Sequence, residues 1–222
     1  MPIPKLPIVI LISGSGSNLQ AIIDAAEENK LPVEIRAVIS NRPDAKGLQR
    51  ASRAGLRTDV IDHTQFDNRK AFDEALQRCI DNFEPRLVVL AGFMRLLTND
   101  FVNHHLGRIL NIHPSLLPAF KGLNTHARAL AAFKEGKIKE HGASVHFVTT
   151  ELDGGPVIVQ ARVSVTPDDT PETLAARILK REHQIYPMAI RWFAEGRLRL
   201  QGNQVWLDEQ VLNTPVVLDS DS

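Results

Sequence analysis

The sequence predicts an α/β fold: a doubly wound, mostly parallel sheet with an antiparallel C-terminal extension and a long C-terminal helix. Three observations carry that expectation. Runs such as Ile8–Ile12 and Leu87–Ala91 are apolar without alternation, as strands covered on both faces must be. Amphipathic helical patterns separate these runs, so parallel pairing through helical crossovers follows. A glycine-serine loop, Ser13–Asn18, joins the first run to the first helix, where a Rossmann-like sheet would receive an anion.

Each element has its own signal. After strand Ile8–Ile12 and the turn Ser13–Ser17, the apolar residues Leu19, Ile22, Ile23 and Ala26 recur at helical spacing. Glu34–Ser40 reads as a second strand, followed by the loop Asn41–Asp44 and a helix to about Ala54. Thr58–Ile61 is a short strand, and Arg69–Phe83 a helix with Phe72, Leu76, Cys79 and Ile80 on one face. Leu87–Ala91 is a buried strand. Thr98 caps a helix running to Leu106, and Arg108–Ile112 is the next strand.

The second half changes character. Ser144–Val148 and Val157–Val165 are β-type segments joined by the glycine-bearing loop Glu151–Pro156, which predicts an antiparallel extension. A helix runs from Pro171 to about Ala194, with Thr170 as N-cap and proline at the first helical position, where a missing N–H costs nothing. Leu198–Leu200 and Gln204–Leu207 flank Gly202-Asn203 as a small hairpin, and Thr214–Ser222 reads as a frayed acidic tail. No repeat or linker divides the chain, so one domain is expected over 1–212, in halves 1–107 and 108–212, with 213–222 a flexible tail.

Composition narrows the function classes. With 222 residues, 43% of them hydrophobic, the chain can fill a core without disulfides or a structural metal. The 26 basic and 26 acidic residues cancel, so there is no global field to hold nucleic acid or an anionic membrane. An anionic ligand must be captured locally. The single Cys79 sits in a helical pattern and reads as a core residue. Ile8–Ile12 is too short to span a membrane and lacks a signal-peptide layout, leaving the cytoplasm as the default location.

The loop Ser13-Gly14-Ser15-Gly16-Ser17-Asn18 offers backbone N–H groups at a helix N-terminus, either as a monophosphate site or simply as a tight turn. A dinucleotide fingerprint fails, since a third glycine is missing near Leu19 and the second strand ends Ser40-Asn41-Arg42. A P-loop fails for want of Gly-Lys-Ser/Thr. No nucleotide cofactor is expected.

Asn111 and His113 lie two apart on one strand and so share a face. An amide donor can stabilise an oxyanion and an imidazole can move protons, as acyl transfer requires. The plainer alternative is a polar strand end. Asp153 sits in a glycine turn, either bonding its own backbone or supporting His113. Ser144 and His146 form another pair two apart, either behind that carboxylate or as ordinary sheet residues. Glu182 falls at the edge of the apolar stripe of the long helix, where it needs a salt bridge or a polyhydroxylated ligand such as ribose. The eight histidines show no zinc spacing, and no metal is expected.

The segments Leu11-Ile-Ser-Gly-Ser-Gly-Ser-Asn-Leu-Gln-Ala-Ile22, Leu90-Ala-Gly-Phe-Met-Arg95, Asn111-Ile-His-Pro-Ser-Leu-Leu-Pro118, Glu151-Leu-Asp-Gly-Gly-Pro156 and Glu182-His-Gln-Ile-Tyr-Pro187 occur in this order. Together they resemble the phosphoribosylglycinamide formyltransferase family of folate-dependent enzymes over roughly residues 6–208. The resemblance implies formyl transfer from the co-substrate 10-formyltetrahydrofolate to the primary amine of glycinamide ribonucleotide, in purine biosynthesis. It implies Asn111, His113 and Asp153 as catalytic residues; Gly16, Ser17 and Asn18 on the substrate phosphate; and Glu182 on its ribose. Arg69, Met94, Arg95, Leu96, Leu97, Asn111, Thr149, Thr150, Glu151, Leu152 and Asp153 would line the folate pocket, largely through backbone, in the catalytic second half and beside it. Leu117–Pro118 is expected to be cis.

One departure concerns Leu179, which stands three residues before Glu182 where relatives carry a polar or basic phosphate contact; Lys180 or Arg181 could substitute. The segment 131–140 is longer than in close relatives. A tRNA formyltransferase should add a basic C-terminal domain, and a formyltetrahydrofolate hydrolase a regulatory domain before Ile8. The expected partners are the two small molecules alone, with the protein a monomer or weak dimer.

Overall fold

The computed structural model describes residues 4–219. Its main sheet has eight strands in the order β11-β7-β6-β5-β4-β1-β2-β3. These are β1 (Leu6–Ile12), β2 (Val33–Ser40), β3 (Thr58–Val60), β4 (Leu87–Leu90), β5 (Ile109–His113), β6 (Glu140–Phe147), β7 (Val157–Ser164) and β11 (Val216–Leu218). Strands β3-β2-β1-β4-β5 are mutually parallel. β6 and β7 add antiparallel, as the glycine-bearing loop predicts. The chain crosses from one side of β1 to the other between β3 and β4, so the crevice for ligands opens at the C-terminal ends of β1 and β4.

Strand alternation divides the core in two. Ile8, Ile10 and Ile12 join Leu87, Val89, Leu110 and Ile112 beneath the helices α1 (Ser17–Glu27) and α6 (Pro171–Ala194). Val9, Leu11, Val88, Leu90 and Ile109 face the other way, toward α3 (Arg69–Asp81) and α4 (Asn99–His104). Burying both faces explains why these strands carry no polar alternation. Helix α6 begins at a reciprocal cap between Thr170 and Thr173, with Pro171 inside its first turn. Its Tyr186 is fully buried, and the hydroxyl donates toward the carbonyls of Leu90 (2.8 Å) and Leu110 (2.9 Å), tying the helix to β4 and β5.

The second half departs from expectation in two places. Helix α5 (Thr125–Lys134) has no counterpart in the sequence reading. The segment expected to fray contains β11, which pairs in parallel with Val159–Ala161 of β7. Val216 and Leu218 pack on the α6-side core, and that apolar contact outweighs the acidic character of the segment. Residues 220–222 of the expected tail lie outside the described residues. The small sheet of β8 (Leu198–Gln201), β9 (Gln204–Leu207) and β10 (Gln210–Val211) is the expected hairpin with one more strand. Among the described residues, no helix is long and apolar enough to cross a membrane.

Candidate active site

The glycine loop leaves β1 at its C-terminal end and enters α1 through Gly16, whose φ of +71° is left-handed. No side chain caps α1 there, so the first-turn N–H groups remain available to an anion. Helix α2 (Lys46–Arg53) presses its start against this loop, and the Gly47 N–H donates to the Gly14 carbonyl at 3.0 Å. A Cβ on Gly16 would lie 2.6 Å from the Gly47 Cα. Both glycines are therefore needed for the approach. Arg50 of α2 reaches back and donates from Nε to the Ser15 carbonyl at 2.9 Å.

Asn18 points from the first turn of α1 to α6, where its Nδ2 donates to Glu182 Oε2 at 2.7 Å. Both side chains are buried. This amide is the partner that Glu182 requires, in place of the salt bridge allowed for on sequence grounds. Burial raises the Glu182 pKa, partly offset by the Asn18 hydrogen bond. Leu179 is half-buried on the preceding turn. Arg181 turns away from the loop, donating to Gln184 Oε1 (2.9 Å) and the Asp219 carbonyl (2.8 Å), and Lys180 is exposed.

Asn111 and His113 alternate with Leu110 and Ile112, which face α6, so both project from the opposite face of β5. Asn111 stands opposite His146, and His113 opposite Ser144, across the β5–β6 pair. His146 Nδ1 lies 2.9 Å from the Phe147 carbonyl, which can only accept, so Nδ1 carries the hydrogen. Its Nε2 then accepts from Asn111 Nδ2 at 3.1 Å. Burial pushes the His146 pKa down to about 4, consistent with a neutral ring. This arrangement fixes the Asn111 amide and leaves its second N–H without a partner among the described residues.

His113 is held from two sides. Its Nε2 donates to the Phe120 carbonyl at 3.0 Å, and its Nδ1 lies 3.5 Å from Asp153 Oδ2. The Gly122 N–H donates to that same carboxylate oxygen at 2.8 Å, while Oδ1 lies 3.9 Å from His146 Nε2. Two loops thus close over one strand face. The 114–124 loop doubles back through positive φ at Phe120, Gly122 and Asn124. It is braced by Arg128 over the Phe120 ring at 5.5 Å and by an edge contact of that ring with His141 at 5.6 Å. The 148–156 loop presents Asp153 in a left-handed conformation, φ +47°.

The structure brings Asn111, His113, Asp153 and His146 together, but not Ser144. The Ser144 hydroxyl donates to the Ser115 carbonyl (2.6 Å) and accepts from the Leu117 N–H (3.0 Å). It fastens the turn after β5, whose Leu117–Pro118 peptide is cis, instead of backing the carboxylate. The side chains of Met94, Leu96, Leu123 and Leu152 are each more than half exposed on the surrounding loops. Arg95 stacks on Phe72 at 5.1 Å and so turns toward α3. Thr149 is half-buried, and Thr150 and Glu151 are exposed; Glu151 pairs with Lys121 at 2.7 Å, linking the two loops. Leu97 packs on the α3-side core. Arg69 is exposed at the first residue of α3.

Several contributors escaped the sequence reading. Ser13 donates to Asn41 Oδ1 (2.5 Å) and accepts from the Met94 N–H (2.7 Å), joining the 13–18 loop to the 92–98 loop. Buried Asp73 accepts from the Thr98 N–H at 2.5 Å and anchors the other end of that loop. The Phe120 carbonyl and Gly122 N–H are backbone groups, so side-chain identity carries no signal for them.

The arrangement sets an uncapped helix start, a buried carboxylate, an oriented amide and an imidazole–carboxylate pair along one crevice. Comparison with known proteins places the chain in a family. The sequence model of the formyl transferase family matches residues 6–190. Phosphoribosylglycinamide formyltransferase of Escherichia coli (strain K12) is 55% identical over 205 residues, covering 92% of this chain and 95% of that protein. The Haemophilus influenzae protein of the same name is 46% identical, with the same coverage. A solved phosphoribosylglycinamide formyltransferase from Coxiella burnetii superposes with a TM-score of 0.91 at 56% identity, covering 96% of this chain and 99% of that one. This chain belongs to the formyl transferase family.

Proposed function

We propose that this chain works as a single domain that transfers the formyl group of 10-formyltetrahydrofolate to the primary amine of glycinamide ribonucleotide. The amine attacks the formyl carbon, a C–N bond forms, and a tetrahedral intermediate appears. Its collapse breaks the bond to N10 of the folate, which gains a proton while the amine loses one.

The residues divide this work by what they can donate. The free N–H of the Asn111 amide, aimed by His146, stabilises the oxyanion. His113 and Asp153 handle the proton between amine and leaving nitrogen, with Nδ1 facing the carboxylate at 3.5 Å. The uncapped start of α1, at Gly16, Ser17 and Asn18, receives the phosphate, and Glu182 takes the ribose hydroxyls. Arg50 steadies the phosphate loop and supplies the positive charge that Leu179 cannot. Met94, Leu96 and Leu152 offer apolar contact to the pterin, with Arg95, Leu97, Thr149, Thr150 and Glu151 contributing mainly backbone, and Arg69 meets the glutamate tail of the folate. The chemistry needs neither a metal nor a nucleotide cofactor.

The observation that carries this reading is the joining of Asn111, His113 and Asp153 across two loops and one strand face, at the end of the sheet that also holds the uncapped α1. The test is an assay of purified protein with 10-formyltetrahydrofolate, with and without glycinamide ribonucleotide. Formyl loss should require the amine, and His113→Ala should lower kcat by about 10²–10⁴-fold. Equal formyl loss without the amine would mean hydrolysis and overturn the transferase reading.

A further inference from the structure

Helices α3 and α4 lead into β4 and β5, so their C-terminal ends lie at the edge of the sheet opposite the catalytic crevice. There Asp81, the last residue of α3, meets His104 and His105 at the end of α4. His104 Nε2 is 3.1 Å from each Asp81 carboxylate oxygen. His105 is 1% exposed, and neither of its ring nitrogens has a hydrogen-bond partner among the described residues. Its ring packs on Phe101 and His104, at centroid distances of 5.0 and 4.5 Å. One donor atom from each of the three side chains lies within 4.8 Å of the others.

We propose that Asp81, His104 and His105 form a binding site for a divalent transition-metal ion of the zinc class, joining the end of α3 to the end of α4. Two imidazoles and a carboxylate are a borderline nitrogen–oxygen donor set, which suits zinc and its neighbours and not the oxygen-seeking magnesium or calcium. Bonds of about 2.0–2.1 Å in a tetrahedral site place donors roughly 3.3 Å apart. The His104–Asp81 pair already meets that spacing. Both side chains are about two-fifths exposed and can rotate toward the fixed, buried ring of His105. A metal bond would also answer an imidazole buried with no partner, which is otherwise unfavourable. Arg108 opposes binding: its guanidinium donates to the His104 carbonyl at 3.1 Å and its charge is felt at His105.

The test is calorimetric titration of tag-free, chelator-treated protein with zinc chloride, with thermal unfolding followed in parallel. Wild type should bind one equivalent at this site and gain thermal stability. His105→Phe, which keeps a ring on Phe101, and Asp81→Asn should each weaken that binding at least tenfold and abolish the gain. Should His105→Phe fail to fold, the exposed Asp81→Asn decides alone. Formyl transfer by metal-free Asp81→Asn should match wild type. No zinc binding by wild type, binding unchanged in Asp81→Asn, or an equal response to magnesium would each overturn the proposal.

Discussion

At the scale of single residues, the site depends on partners that fix a proton or a dipole. His146 is neutral and its Nδ1–H is committed to the Phe147 carbonyl, so its Nε2 orients Asn111. Replacing it by Phe should leave substrate KM values within about twofold and lower kcat tenfold or more, since one misdirected oxyanion donor costs about 3–4 kcal/mol at worst. Steady-state kinetics separate the two parameters; a raised KM with unchanged kcat would contradict this role. Glu182 behaves differently. Its folded pKa is raised, so its stabilising contribution is present at low pH and lost as pH rises through that pKa. At neutral pH the buried carboxylate is therefore a net cost, which the proposed contact with ribose would offset in function. Glu182→Gln keeps an acceptor for Asn18 and should raise thermal stability at pH 7, while raising KM for glycinamide ribonucleotide about tenfold. The strand period alone placed Asn111 and His113 on one face. It could not show His146 behind Asn111, because cross-strand register depends on long-range pairing that no local pattern encodes.

At the scale of elements, glycines set how closely loops approach the sheet. A Cβ on Gly155 would lie 1.8 Å from the Phe147 carbonyl oxygen, so the 148–156 loop would have to lift from β6. That loop carries Asp153. Gly155→Ala should therefore lower kcat/KM on the order of 10²-fold, the scale of a 1 Å misplacement, and a variant within twofold of wild type would show that Asp153 is positioned by other means. Gly16→Ala acts at the other end of the crevice, pushing α1 from α2, and should raise KM for the phosphorylated substrate more than it lowers kcat. The strand runs, the capped α6 and the glycine turns were legible in the sequence because each rests on local chemistry. Helix α5 was not: it begins at Asn124 in a left-handed conformation without a side-chain cap, so the usual start signal is missing. β11 was hidden for another reason. Three residues, Val216–Leu218, are too few for a period, and their strand state comes from pairing with β7.

At the scale of the whole molecule, the buried histidines govern how stability responds to acid. Burial lowers the pKa of His105, His141 and His146 from 6.5 to about 4 in the folded chain. As pH falls below 6.5, these rings take up protons in the unfolded chain while the folded rings stay neutral. The unfolded state then binds more protons, and stability declines until pH reaches about 4, where the folded rings titrate too. Each ring contributes a slope of about 1.4 kcal/mol per pH unit within that window, so three together approach ~4. Buried Glu182 and Asp73 act in the opposite sense, since their raised pKa values favour the folded state in acid. His141 is the cleanest probe, because it packs its ring against Phe120 and His126 while neither nitrogen has a partner among the described residues. His141→Phe keeps an aromatic ring there and removes one titrating group. Urea unfolding with chelator present, at pH 7, 6 and 5, should show wild-type stability falling steeply. The variant should lose about a third less and be the more stable protein at pH 5, whereas equal slopes would assign acid sensitivity to groups other than these rings.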